Sequence, residues 1–123
     1  MRLLINIYVT PIFRVEIMPE VARKDGTDKV DTVHNSIGSQ CKDAPKIIAT
    51  DKGSDNVFAE NVGVVRVGDT VELHDLPGCI PHAPPLAVGS GTVFANGKPI
   101  GRKDDTYAGG EKILSGAGTV IAG

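Results

Sequence analysis

The segment Gly53-Ser54-Asp55-Asn56-Val57-Phe58-Ala59 returns 36 residues later, without a gap, as Gly89-Ser90-Gly91-Thr92-Val93-Phe94-Ala95. The correspondence runs on, with Arg66 falling on Arg102 and Asp69 on Asp105, so that seven of the seventeen positions from 53 to 69 are identical in the second copy. A fixed period of this kind marks a repeat architecture, in which each small unit buries its apolar face against its neighbours. A shorter echo, Gly116-Ala117-Gly118-Thr119-Val120-Ile121-Ala122-Gly123, lies at the other end, and Val21-Ala22-Arg23-Lys24-Asp25 repeats a fragment of the unit's second half. The chain is therefore expected to be built from three copies of one unit.

Each unit reads as a β-hairpin. Thr92-Val93-Phe94-Ala95 is β-prone and runs into Asn96-Gly97, the pair best suited to a type I′ turn because both central residues need positive φ. Lys98-Pro99-Ile100-Gly101-Arg102 forms the return strand. In the earlier copy Glu60-Asn61 stands at the turn, a weaker signal of the same shape. No window carries a 3.6-residue period, so almost no helix is expected. A lone hairpin is marginal in water, so the three must share one axis to bury their Val, Phe and Ile faces. The predicted fold is all-β, a cone of three pseudo-threefold hairpin repeats. The connecting loops are unequal: 25–53 is long, 69–89 intermediate and 105–116 short, and the two long ones carry the chemistry.

The chain has 123 residues, three Phe, two Tyr and no Trp, against 15 Gly and 8 Pro, so its core is thin in large rings. Cores of this size usually need a staple. The net charge of −2 and the absence of any block of like charge remove nucleic acid as a partner. Residues 1–17 differ from the rest, being apolar and β-branched without glycine. They are too short and too interrupted for a membrane span or a signal peptide. They are read as an added strand or as an over-long start with translation beginning at Met18, leaving 18–123 as the repeat domain. Two cysteines without a secretory signal suggest a reducing compartment during synthesis.

All three histidines fall in the long loops: His34 in the first, His74 and His82 in the second, where the pattern is H-x4-C-x2-H through Cys79. Imidazole and thiolate are the ligands a tetrahedral zinc site prefers, and four of them close a structural site. Prolines 77, 81, 84 and 85 stiffen the second loop. Cys41 makes a fifth candidate ligand, and a Cys41–Cys79 disulfide is the alternative use of the two thiols. Glu72 and Asp75 beside His74 admit a third reading, a zinc hydrolase with Glu72 as general base. Catalysis needs an open coordination position and a pocket, however, and no nucleophile elbow, phosphate-binding loop or H-E-x-x-H is present. The expectation is a non-enzyme.

The strands Gly-Ser-x-x-Val-Phe-Ala, with Pro19-Glu20-Val21-Ala22-Arg23 and Pro99-Ile100-Gly101-Arg102, give residues 18–123 a resemblance to PAAR-repeat proteins. The resemblance implies a metal-bearing cone on the blunt end of a trimeric β-helical spike, one copy per trimer, in a phage tail baseplate or a type VI secretion system. It implies a structural metal, usually zinc and alternatively iron, held by three His and one Cys, and His34, His74, Cys79 and His82 are the matching positions. It also implies transient contact with a target outer membrane as the spike pierces it. The loops around His34 and His82 look more like those of contractile-tailed phages, so the virion is the expected location.

Overall fold

The structure, a computed structural model, describes residues 18–32, 46–74 and 81–123. Among the described residues there is no helix. Seven short strands follow one another as β1 (Lys29–Asp31), β2 (Ile47–Ala49), β3 (Phe58–Ala59), β4 (Val62–Gly63), β5 (Phe94–Ala95), β6 (Lys98–Pro99) and β7 (Lys112–Ile113). The fold is all-β, built from small antiparallel sheets, as the repeats and turn chemistry predict.

The hairpins β3–β4 and β5–β6 are formed by equivalent residues, with Phe58 opposite Gly63 in one and Phe94 opposite Pro99 in the other. Both turns have two residues at positive φ, Glu60 (50°) and Asn61 (67°) in the first, Asn96 (55°) and Gly97 (76°) in the second. Glu60-Asn61 therefore makes the same primed turn as Asn-Gly, at some steric cost, because the flanking strands twist right-handedly and only that turn matches them. Ser54 and Ser90 open the units in the same way: each hydroxyl accepts from the backbone N–H groups two and three residues on.

The third hairpin is assembled from two distant stretches of chain. Glu20 pairs with Ile121, the Val21 N–H donates to the Val120 carbonyl at 2.9 Å, and the Ala122 N–H donates to Pro19. These bonds repeat those of Val64 to Val57 and of Ile100 to Val93, each 3.0 Å. Glu20 thus occupies the place of Pro99, one position on from the Pro19 that the PAAR-like pattern sets there.

A closed cycle of backbone bonds joins the three units. Ala22 donates to Gly101 (2.9 Å), Gly101 to Val65 (2.7 Å) and Val65 back to Ala22 (2.9 Å). Strand alternation then sorts the side chains to two sides of this cycle. Val21, Val64 and Ile100 pack with Ala59, Ala95, Ala117 and Ala122 in one core, while Ala22 and Val65 pack with Val30, Ile48, Val71, Leu86, Tyr107 and Ile113 in the other. Gly101 stands where the other units have Ala22 and Val65 because a Cβ there would lie 2.7 Å from Leu86 Cδ2.

Each unit ends in the same ion pair. The Asp69 carboxylate accepts the Arg66 backbone N–H (2.8 Å), Nε (2.9 Å) and Nη2 (3.0 Å), and Asp105 does the same for Arg102 at 2.9, 2.9 and 3.1 Å. In the unit closed by the two distant stretches the partner of Arg23 is Asp28, at 2.7, 3.0 and 2.8 Å, and not Asp25, which lies at positive φ in the turn between them. Such forked, charge-assisted pairs hold guanidinium and backbone together in one geometry. Their hydrogen bonds push the Arg23 and Arg66 guanidinium groups still further above the usual arginine range, against the opposing effect of burial.

Connections read from sequence as loops contain further strands. β1 lies between β2 and β7, with Val30 opposite both Ile48 and Ile113. Lys46-Ile47-Ile48-Ala49-Thr50 is a β-branched run whose central pairing, Ile48 with Val30, spans eighteen positions, beyond the reach of turn signals.

Candidate metal centre

The intermediate loop begins as a two-stranded ribbon. Leu86 donates to Asp69, Val71 to Pro84, and His74 and His82 exchange both backbone bonds, at 3.0 and 2.9 Å. A directly opposed pair in an antiparallel ribbon projects its side chains from the same face. The two imidazoles accordingly meet with centroids 4.4 Å apart at 61°. Prolines 84 and 85, in the return arm, need no ladder donor there, and Pro85 instead accepts from Ala108 at 2.8 Å.

That last bond brings in the short third loop. Residues 104–113 fold on themselves, with Tyr107 donating to Glu111 (2.8 Å) and Ile113 to Asp105 (3.0 Å), and Leu86 bridges to Tyr107 alongside. Glu111, with no exposure, is carried under the histidines. Its Oε2 lies 2.8 Å from His74 Nε2 and 3.4 Å from His82 Nε2. The donor atoms of these three residues all fall within 4.8 Å of one another.

The orientation of His74 is fixed from behind. Its Nδ1 sits 2.8 Å from the Glu72 carbonyl oxygen, which only accepts, so Nδ1 carries the hydrogen and Nε2 is the nitrogen turned to the cluster. The Glu72 carboxylate faces away, accepting the Ala49 N–H at 2.7 Å. Glu72 therefore serves His74 through its backbone and is not placed as the general base of a hydrolase.

Tyr107 is also buried here. Its hydroxyl has no hydrogen-bond partner among the described residues, and burial, helped by the nearby carboxylates, pushes its ionisation far above the usual phenol range.

Of the four ligands expected from sequence, the structure brings His74 and His82 together. His34 and Cys79 lie outside the described residues, as do Cys41 and Asp75, so the Cys41–Cys79 alternative lies there too. Glu111 was not foreseen. The short loop holds no His or Cys, and a single Glu in it carries no motif; only its setting in Tyr-Ala-Gly-Gly-Glu, a tight turn ahead of a strand, hints that it points somewhere specific. Chemistry thus comes from the shortest connection as well as the longer ones.

Two imidazole nitrogens and a buried carboxylate oxygen suit a divalent cation. A tetrahedral ion with bonds of about 2.0–2.1 Å sets its donors about 3.3 Å apart, close to the His82–Glu111 spacing. The group is a possible metal-binding site. A comparison with curated proteins finds no match to the chain. The PAAR motif family model matches residues 46–115, more than half of the chain.

Proposed function

The chain belongs to the PAAR motif family, and on that premise we propose that it is a structural, non-enzymatic tip that caps a trimeric β-helical spike in a contractile injection apparatus. The observation that carries this reading is the closed cycle of Ala22, Gly101 and Val65 with its three equivalent hairpins. One chain that repeats itself three times about an axis is what a single cap on a trimer requires. In this reading the hairpins would form the blunt side and the histidine-bearing loops the tip. Exposed hairpin edges suit strand addition to the end of a β-helix.

A tip driven through an outer membrane must resist unfolding although a narrow end has little room for a core. The metal, when bound, ties the loops together where packing is thin, and apparent binding free energies of roughly 10–16 kcal/mol in small zinc peptides show the scale of such a tie. We propose zinc, with iron as the alternative, on His74 and His82 together with His34 and Cys79. The chain's own residues prepare that site: the ribbon sets the histidines side by side and the Glu72 carbonyl turns Nε2 of His74 inward. The resemblance of the sequence around His34 and His82 to the loops of contractile-tailed phages supports a phage tail baseplate, and so the virion, over a type VI system.

The test is to mix the purified chain with the trimeric β-helical spike of the same apparatus and weigh the complex by light scattering. One chain per trimer is expected. A chain that stays free, or binds three to a trimer, overturns the capping role.

A further inference from the structure

We propose that Glu111 is itself a metal ligand, so that the centre includes a carboxylate oxygen beside Nε2 of His74 and of His82; this rests on the metal reading given above. Three observations converge on it. First, a carboxylate that merely orients a ligating histidine bonds the nitrogen turned away from the ion. In His74 that nitrogen is Nδ1, and the Glu72 carbonyl takes it at 2.8 Å. Glu111 lies on the opposite, ligating side, 2.8 Å from Nε2.

Second, the same oxygen, Oε2, is the one that approaches both histidines, so the three donors face one point and are not strung along a chain. Third, the loop is shaped around the carboxylate. A Cβ on Gly109 would fall 2.6 and 2.9 Å from the two Glu111 oxygens and 2.9 Å from Pro84 Cγ, so the bare backbone of Gly109 walls the group in from behind. Glu111 is wholly buried, and burying a carboxylate is costly unless a positive partner meets it. A bound cation would be such a partner, addressed by Oε2 of Glu111 and the two Nε2 atoms.

In a four-coordinate site Glu111 would take the place of His34 or of Cys79, and a set that includes a carboxylate is harder in character than three imidazoles and a thiolate, accommodating iron(II) and cobalt(II) as well as zinc. The centre would draw on the third unit's loop as well as the second, tying two units through one ion.

The experiment uses the full chain and Zn(II) in competition with a chromophoric chelator, with Co(II) as the spectroscopic probe. Glu111→Gln is expected to lower Zn(II) affinity more than a hundredfold, beyond the 10–100-fold typical of losing an outer hydrogen bond, and to shift the visible Co(II) bands. An affinity loss with unshifted bands, or no loss at all, overturns the assignment while leaving the metal reading intact. If the native chain takes up no Zn(II), the metal reading itself fails. Should Glu111→Gln not fold, the side-chain carboxyl carbon of Glu111 is followed by NMR in the native chain: movement on adding one equivalent of Zn(II) supports ligation, and a stationary signal overturns it.

Discussion

The hairpin layer and the loop layer of this protein solve the same problem, holding a short chain together, by opposite means. In the hairpin layer bonds recur: the Ala22–Gly101–Val65 cycle and the Arg–Asp pairs are made three times with nearly constant distances, and the serine openings twice. In the loop layer the described residues do not repeat: His74 and His82 come from one loop, Glu111 from another, and among the described residues the sheet of β1, β2 and β7 has no counterpart. In the first layer the backbone role is shared while the side chain at each position is set by its own neighbours, as Gly101 against Leu86 demonstrates beside Ala22 and Val65. The second layer is asymmetric, so each residue there has a role that no equivalent can take over.

The sharpest way to break this comparison is to attack the most buried of the repeated ion pairs. Asp28 is fully buried and also accepts from Ser115 Oγ at 2.8 Å, which its counterparts do not share. Asp28→Ala should cost about 3 kcal/mol, the lower end for breaking a buried pair, because the Arg23 left behind is partly exposed and keeps Glu60. Asp69→Ala and Asp105→Ala should cost less, their carboxylates retaining slight exposure. Denaturant titration of the three variants checks the order; equal losses would mean that the layer is symmetric in energy as well as in geometry.

Metal removal tests the other layer. With free zinc at a hundred times its dissociation constant, chelation should withdraw about 2.7 kcal/mol. Hydrogen exchange should quicken at Val71, His74, His82 and Leu86 while Val64, Ile100 and Val21 keep their protection. Uniform quickening would show that the two layers unfold as one.

A smaller effect is expected from filling the one gap in the cycle. Gly101→Ala sets a methyl group against Leu86 Cδ2 and 3.2 Å from the Val65 carbonyl, and overpacking of this sort costs about 1–3 kcal/mol. A melting temperature within a degree of the parent chain would show that Leu86 yields freely.

The mildest prediction concerns acid. Glu60, at a hairpin turn, accepts from the Thr119 hydroxyl and backbone N–H and pairs with Arg23, and the Thr119 bonds chiefly hold its carboxyl below the ordinary range. A carboxyl depressed in the folded state stabilises above its unfolded value and loses that contribution as pH falls through the folded one. Stability should therefore decline as pH is lowered from about 4.5, the ordinary glutamate value. Glu60→Gln should flatten that decline slightly; an unchanged slope between pH 5 and 3 would remove Glu60 as a contributor.

Much of the hairpin layer was legible because its determinants are local. Asn96-Gly97 specifies its turn within two residues, the Gly-Ser openings cap their own backbone, and the 36-residue period exposes the unit without any knowledge of packing. The pairing of His74 with His82 was half legible, since a proline-stiffened loop of that spacing returns on itself. The first unit's acidic partner was not legible, because its spacing from Arg23 is five residues where the other two units have three, and Asp28 is found only in the fold.

What the sequence determined alone is the unit, its number and the near-absence of helix that the described residues bear out, all written in contacts a few residues long. What only the tertiary structure decided is how distant pieces meet. Glu20 pairs with Ile121 and closes the third hairpin, Val30 chooses Ile48 and Ile113 as neighbours, and Glu111 arrives beneath the histidines. Those meetings depend on closing the backbone cycle, whose bonds join residues with dozens of positions between them; no local propensity encodes such a closure, because its energy exists only once all three units are in place.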